Sequence, residues 1–245
     1  MTTDSTIRYA LSNHLFTQLP LKLKTMNTLF ASLNTGFSTT QKSLRIFVLL
    51  GLVTIWGACN LLAANFFPST SGGNWNAGGA WNATTCGGVG GLVIPTTTAD
   101  VITIGPCVKT ITVTSNYLTA GAITINGGTL VINSGVTLTC TALTMTSGTL
   151  TVNGTLNVTG GVSITGGTYT VSATGTLGLI GGAQSLSSTQ PFYNLNIAGS
   201  GNKTMGTSIT VNNQLTLTSN NLVVGPNTLT VGSATGGNGI VVTSG

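Results

Sequence analysis

Residues 122–182 contain one pattern three times, and this repeat constrains the fold more than any other feature of the chain. The segments AITINGGTLVINSGVTLTCT (122–141), ALTMTSGTLTVNGTLNVTG (142–160) and GVSITGGTYTVSATGTLGLIGG (161–182) align with a period of about twenty residues. Each segment holds three short runs that alternate apolar and polar residues between glycines. Stacked repeats of this kind bury one face of every strand, so the pattern predicts an all-β fold, a single-stranded parallel β-helix with three strands per coil.

The inward positions of the repeat predict the core. Ile123 and Leu143 fall at equivalent positions of the first strand, and the other strands give similar apolar columns. Cys140 shares its position with Val158 and Leu179. We therefore expect Cys140 to be a small buried core residue rather than a reactive free thiol.

Glycines recur at two points in every repeat, before the second strand and before the third. A corner of a narrow β-helix needs a positive φ or a close approach of two backbones, and glycine permits both. A large side chain at a corner should therefore cost more stability than one on a strand. The predicted corner residues are Gly128, Gly148, Gly167, Gly135, Gly154 and Gly175.

The charge of the chain is concentrated at its N-terminus. The formal net charge is +5, but of the seven basic and two acidic residues only Asp100, Lys109 and Lys203 follow residue 46. The rest of the chain is almost uncharged, which excludes a basic surface for nucleic acid. The 41% of hydrophobic residues favours a folded β structure over disorder.

Residues 1–64 are typical of a leader followed by a secretory signal, with its hydrophobic region at 46–56. Met26 is an alternative start. Three interpretations stay open: cleavage near Ala64, an uncleaved membrane anchor, or a lipoprotein modified at Cys59. All three predict that the remaining chain lies outside the cytoplasm, either secreted or at the cell surface.

Residues 65–107 are predicted to form an N-terminal cap. Trp75 and Trp81 lie within this glycine-rich segment, and we expect them to cover the first coil. Stacking of exposed indoles on a glycan is the alternative. Cys86 and Cys107 are predicted to form a disulfide, which would close a loop of about twenty residues and contribute on the order of 3 kcal/mol.

The residues needed for catalysis are missing from the sequence after the leader. That part has no Glu and no His, since His14 lies in the leader, and we interpret Asp100 as a turn or capping carboxylate. Neither a carboxylate pair nor a nucleophile with its base can be assembled. The sequence GSGNKT (199–204) lacks the glycines of a phosphate loop. We therefore predict a protein that is not an enzyme and has no metal, cofactor or small-molecule substrate.

One outer row suggests a more specific role. Outward positions of the second strands carry a threonine ladder that Val131 interrupts, and Thr-x-Thr arrays of this kind resemble the ice-binding surfaces of insect-type antifreeze proteins. The alternative is that threonine merely supplies strand propensity and solubility. The ladder consists of Thr129, Thr149, Thr151, Thr168 and Thr170.

The β-helix is predicted to occupy residues 108–245, and residues 101–245 would make about seven coils. Because the alternating pattern is unbroken at the last residues, we expect a longer protein. The segments GNWNAGGAWN, VIPTTTADVITI and FYNLNIAGSGNKTMGTSITVNNQLTLTS, with their GTLxVxGTLxV coils, resemble repetitive surface proteins of Bacteroidetes-type bacteria. The coils are also similar to those of filamentous haemagglutinin-type adhesins. This resemblance implies a right-handed coil, a structural and adhesive role at the cell surface, and host or environmental glycans or surfaces as partners.

Overall fold

The structure of the chain is a computed structural model that describes residues 63–91, 94–218, 222–232 and 239–243. The predicted hydrophobic region and Cys59 lie outside these residues. Within the described ranges, no helix has the length and apolar character needed to cross a membrane.

Parallel strands of 2 to 16 residues make up nearly all the regular structure of the described residues. A 3-10 turn lies at Gly78–Ala80. The strands are β1 Asn65–Pro68, β2 Gly73–Asn74, β3 Trp81–Asn82, β4 Val101–Ile104, β5 Thr110–Val113, β6 Tyr117–Ile132, β7 Thr137–Val152, β8 Thr155–Val158, β9 Val162–Ile164, β10 Thr168–Val171, β11 Thr176–Leu179, β12 Gln184–Ser188, β13 Phe192–Ile197, β14 Lys203–Met205, β15 Ile209–Thr218, β16 Leu222–Val223, β17 Leu229–Val231 and β18 Gly239–Thr243.

The strands stack into a parallel β-solenoid of about six turns, which confirms the predicted fold class. Each strand pairs with its equivalent one coil later; for example, β4 pairs with β6 through Ile102 and Ile123. The turn count is lower than the predicted seven because some coils are longer than the regular repeat. Val162 of β9 pairs with Leu186 of β12, more than twenty residues further on.

The core runs along the inside of the coils, where the sequence pattern places it. Leu138, Leu156, Leu177 and Leu195 are adjacent in one column and are buried. Burying each leucine contributes roughly 1.5–3 kcal/mol relative to leaving it exposed. Packing along such a continuous column stabilises the stacking of each coil on its neighbours.

Cys140 is part of this core, as predicted. It pairs in register with Val158, and only 1% of its surface is exposed. Its thiol is free, and burial raises its pKa to about 12. The side chain therefore acts as a small apolar residue at neutral pH.

The predicted corner glycines are required for more than one reason. Gly148 has a φ of +86°, and a Cβ there would also collide with the carbonyl oxygen of Gly128. Gly154 has no positive φ, but a Cβ would collide with the carbonyl oxygens of Val136 and Asn133. Close stacking of successive coils is therefore as important at these corners as backbone conformation.

Candidate functional site

The structure aligns the predicted threonine ladder and extends it by one coil. Thr110, Thr129, Thr149 and Thr168 form one uninterrupted row across four coils. A parallel row has Val131 between three threonines, as the sequence predicts. We call the two rows together the threonine face, which consists of Thr110, Thr112, Thr129, Val131, Thr149, Thr151, Thr168 and Thr170.

The hydroxyl groups of the threonine face make no hydrogen bond within the part of the chain that the structure describes. Threonines at the corners behave differently: the Thr159 and Thr165 hydroxyls donate to the carbonyl oxygens of Cys140 and Met145, each at 3.4 Å. All side chains of the threonine face are partly or fully exposed. Their hydroxyls are therefore available to solvent or to a ligand.

A second hydroxyl row lies on another side of the solenoid and was missed by the sequence reasoning. It is a single row, with small residues such as Ala122 and Ala142 beside it. The alignment of the repeats was sufficient to find this row, because each of its residues directly precedes the last inward residue of a first strand. The row consists of Thr103, Thr124, Thr144, Ser163 and Ser187.

The two tryptophans of the cap are buried, and a glycan-stacking role for them is therefore wrong. Trp75 and Trp81 are 0% and 1% exposed, with ring centroids 4.9 Å apart in an edge-to-face contact. The Trp81 Nε1–H donates to the Trp75 carbonyl oxygen at 2.7 Å. Neither indole presents a face to a sugar. Their position on the first coil is the one expected of a cap.

The cap is fastened to the first coil by hydrogen bonds and a disulfide. β1 pairs in parallel with β4 and antiparallel with β3, so the chain folds back over the end of the solenoid. Cys86 and Cys107, the predicted pair, are joined with a Cα–Cα distance of 5.5 Å. The bond links the cap loop to the corner that precedes β5.

Three buried polar side chains occupy a single corner of the coil, where the third strand leads into the next first strand. Asp100, Gln184 and Lys203 each lie two residues before an inward residue of a first strand, and each is at most 5% exposed. Between Asp100 and Gln184 the equivalent positions are Gly121, Thr141 and Gly160, and the two glycines pack closely against the preceding coil. We call this set the polar corner. Sequence reasoning assigned a structural role to Asp100 but overlooked Gln184 and Lys203.

Asp100 has the turn role that the sequence predicts. Its Oδ2 accepts hydrogen bonds from the backbone N–H groups of Thr96 and Thr97, both at 2.8 Å. Its Oδ1 accepts from the Ala64 N–H at 3.4 Å. With its oxygens used in this way, the carboxylate holds the cap segment to the first coil.

Lys203 fills the other end of the polar corner. Its Nζ donates to the carbonyl oxygens of Gly181 (2.9 Å), Gly182 (2.5 Å) and Ser200 (2.9 Å) and more weakly to Gly201 (3.5 Å). Burial lowers the pKa of this ammonium group. No acidic side chain among the described residues pairs with this charge, and the carbonyl oxygens of two corner loops surround it.

Gln184 performs the same task one coil earlier. Its Nε2 donates to the carbonyl oxygens of Val158 at 2.9 Å and Gly160 at 2.5 Å, and its Oε1 accepts from the Gly181 N–H. Both side chains therefore link successive corner loops, in addition to direct backbone bonds such as that from the Ser200 N–H to the Gly181 carbonyl oxygen at 2.9 Å.

The described residues contain no group of three or more His, Cys, Asp or Glu side chains that could hold a metal ion. No protein family, curated protein or solved structure matches this chain. The fold itself places the chain among the parallel β-solenoids.

Proposed function

We propose that this chain is a non-enzymatic structural and adhesive segment of a secreted or cell-surface protein. The observation that carries the proposal is the uniform, almost uncharged solenoid. The buried carboxylate of Asp100 accepts hydrogen bonds from backbone N–H groups. The buried ammonium group of Lys203 donates to backbone carbonyl oxygens. Groups engaged in this way are not free to transfer protons to a substrate.

An extracellular location is supported by the cap. A disulfide such as Cys86–Cys107 persists in oxidising compartments and is uncommon in the cytosol. The leader-like residues 1–64 agree with export. The resemblance of the repeats to Bacteroidetes-type surface proteins and haemagglutinin-type adhesins supports a bacterial surface role.

Location is tested on cells that produce the full chain. Antibody against the solenoid should label intact cells, and a maleimide reagent should leave Cys86 and Cys107 unmodified until a reductant is added. Labelling only after permeabilisation, together with alkylation of both cysteines without reductant, would contradict an extracellular location. A cytoplasmic protein with a free thiol serves as the control for cell integrity.

Adhesion is tested by deleting the gene and measuring attachment of the cells to abiotic and glycan-coated surfaces. We expect fewer attached cells and restoration by the intact gene. Wild-type attachment in the deletion strain, with the protein demonstrably on the surface of the parent, would leave a purely structural role.

A further inference from the structure

We propose that the threonine face binds the surface of ice. This inference goes beyond a structural and adhesive role, because it assigns a ligand to one side of the solenoid. It rests on the register of four successive coils and on the chemistry of the side chains that they present.

The threonine face is regular in two directions. Parallel strands place equivalent residues about 4.8 Å apart, and residues i and i+2 of one strand about 6.6 Å apart on the same side. Thr149 and Thr151 pair with Thr168 and Thr170 without any shift in register. The hydroxyls therefore form a lattice about 14 Å long, and its spacing is fixed by the backbone.

The side chains of the threonine face are preorganised. A threonine side chain has two heavy atoms on Cβ, which restricts χ1 and fixes the directions of its hydroxyl and methyl groups. Each hydroxyl both donates and accepts hydrogen bonds, as water does. In the threonine face these groups have no partner among the described residues, so meeting an ordered water layer sacrifices no intramolecular bond.

The threonine face lacks the side chains that bind other classes of ligand. Protein and glycan sites depend on aromatic or arginine side chains in pockets. These strands contain two aromatic residues: Tyr169 points inward and is 8% exposed, and Tyr117, at the start of β6, packs against Trp75 of the cap. No charged residue belongs to the threonine face. Its distinguishing feature is its repeat, and a crystal of water is the ligand that a repeating, uncharged hydroxyl and methyl surface fits.

The test uses the full chain and measures thermal hysteresis and the shape of ice crystals grown in its presence. We expect the wild type to separate the freezing and melting points. The double variant Thr149→Leu/Thr151→Leu should lose this effect because bulky side chains disrupt the lattice.

The matched control is Thr144→Leu, which changes the single hydroxyl row on another side of the same strand β7. It should retain the thermal hysteresis of the wild type. Far-UV circular dichroism and thermal unfolding of each variant show whether the solenoid is intact. Val131→Thr, which completes the lattice, should increase the effect and keeps the test valid should the double variant fail to fold.

Absence of thermal hysteresis in the folded wild type would overturn the proposal. So would equal loss in Thr144→Leu and in the double variant. Binding to crystalline cellulose or chitin without any effect on ice would also overturn it and would identify a crystalline polysaccharide as the ligand of the same lattice.

Discussion

The polar corner is closed in two different ways along one molecule. In the earlier coils, Gly121 and Gly160 let one coil lie directly against a carbonyl oxygen of the coil before it. In the later coils, wider loops leave space that Gln184 and Lys203 fill with hydrogen-bond donors. The difference teaches that a solenoid can keep its cross-section either by removing side chains from a corner or by making one side chain satisfy several backbone groups.

The largest effect is expected where a glycine is replaced in the tightly closed coils. A Cβ at Gly121 would collide with the carbonyl oxygen of Asp100, so Gly121→Val should lower the free energy of unfolding by about 4 kcal/mol. Gly135→Ala is the control, because its Cβ would meet no atom within 4 Å and only the φ of +73° opposes it, at about 1 kcal/mol. Urea unfolding measures both. Equal losses would show that close stacking is not what requires glycine.

The next effect concerns the corner closed by a side chain. Lys203→Met removes the buried ammonium group that donates to the carbonyl oxygens of Gly181, Gly182 and Ser200, and we expect it to lower the free energy of unfolding by about 2 kcal/mol because these charged hydrogen bonds are lost. Lys109→Met, at a half-buried lysine outside the polar corner, should change it by less than about 0.5 kcal/mol. Chemical unfolding at neutral pH compares the two. A stable Lys203→Met protein would mean that the loops close without the ammonium group.

The dependence of unfolding free energy on alkaline pH tests the apolar interior of the regular coils, where Cys140 is buried. The pKa of Cys140 is raised to about 12 from its ordinary value of 9.0, so the folded state holds the proton that the unfolded state releases. The contribution of the thiol is complete below pH 9.0 and is lost as pH rises towards 12, by up to about 1.4 kcal/mol per pH unit. Cys140→Val should remove this slope. An unchanged alkaline slope would assign it to other groups, such as Tyr117 and Tyr169, whose pKa values burial also raises.

The smallest effect is a gain. Val108 lies at the corner before β5, with a φ of +50° and 77% of its side chain exposed. The next coil has Gly127 at the position equivalent to Val108. Val108→Gly should therefore stabilise the first coil by about 1 kcal/mol. Glycine adopts a positive φ without the strain of a β-branched residue, and the exposed valine side chain contributes no packing. A lower melting temperature in differential scanning calorimetry would contradict this explanation.

The fold could be predicted from the sequence because its period is local. Alternation fixes which residues point inward, and the repeat fixes which residues stack, so the core position of Cys140 and the corner glycines follow directly. The spacing of Cys86 and Cys107 was sufficient to suggest their bond. Each of these features depends on neighbours about one coil away.

Features that depend on an interrupted period were harder to predict. A cap role for Trp75 and Trp81 was predicted, but the way in which β1 and β3 fold back over the first coil is not indicated by any repeat in that segment. The corner loops near residues 181 and 200 displace the register, so an alignment of repeats does not place Lys203 beside Gln184. A lone lysine in an uncharged sequence was the available signal, and it was ambiguous between a solvated side chain and a buried one.

The scarcity of charge has a consequence for the waters in which such a protein can work. Salt weakens interactions between exposed charges beyond a Debye length of about 10 Å at 0.1 M, but among the described residues the charged side chains are Asp100, Lys109 and Lys203, and two of these are buried. Ionic strength therefore has almost nothing to screen. The solenoid should keep its shape and its stability from dilute fresh water to brine.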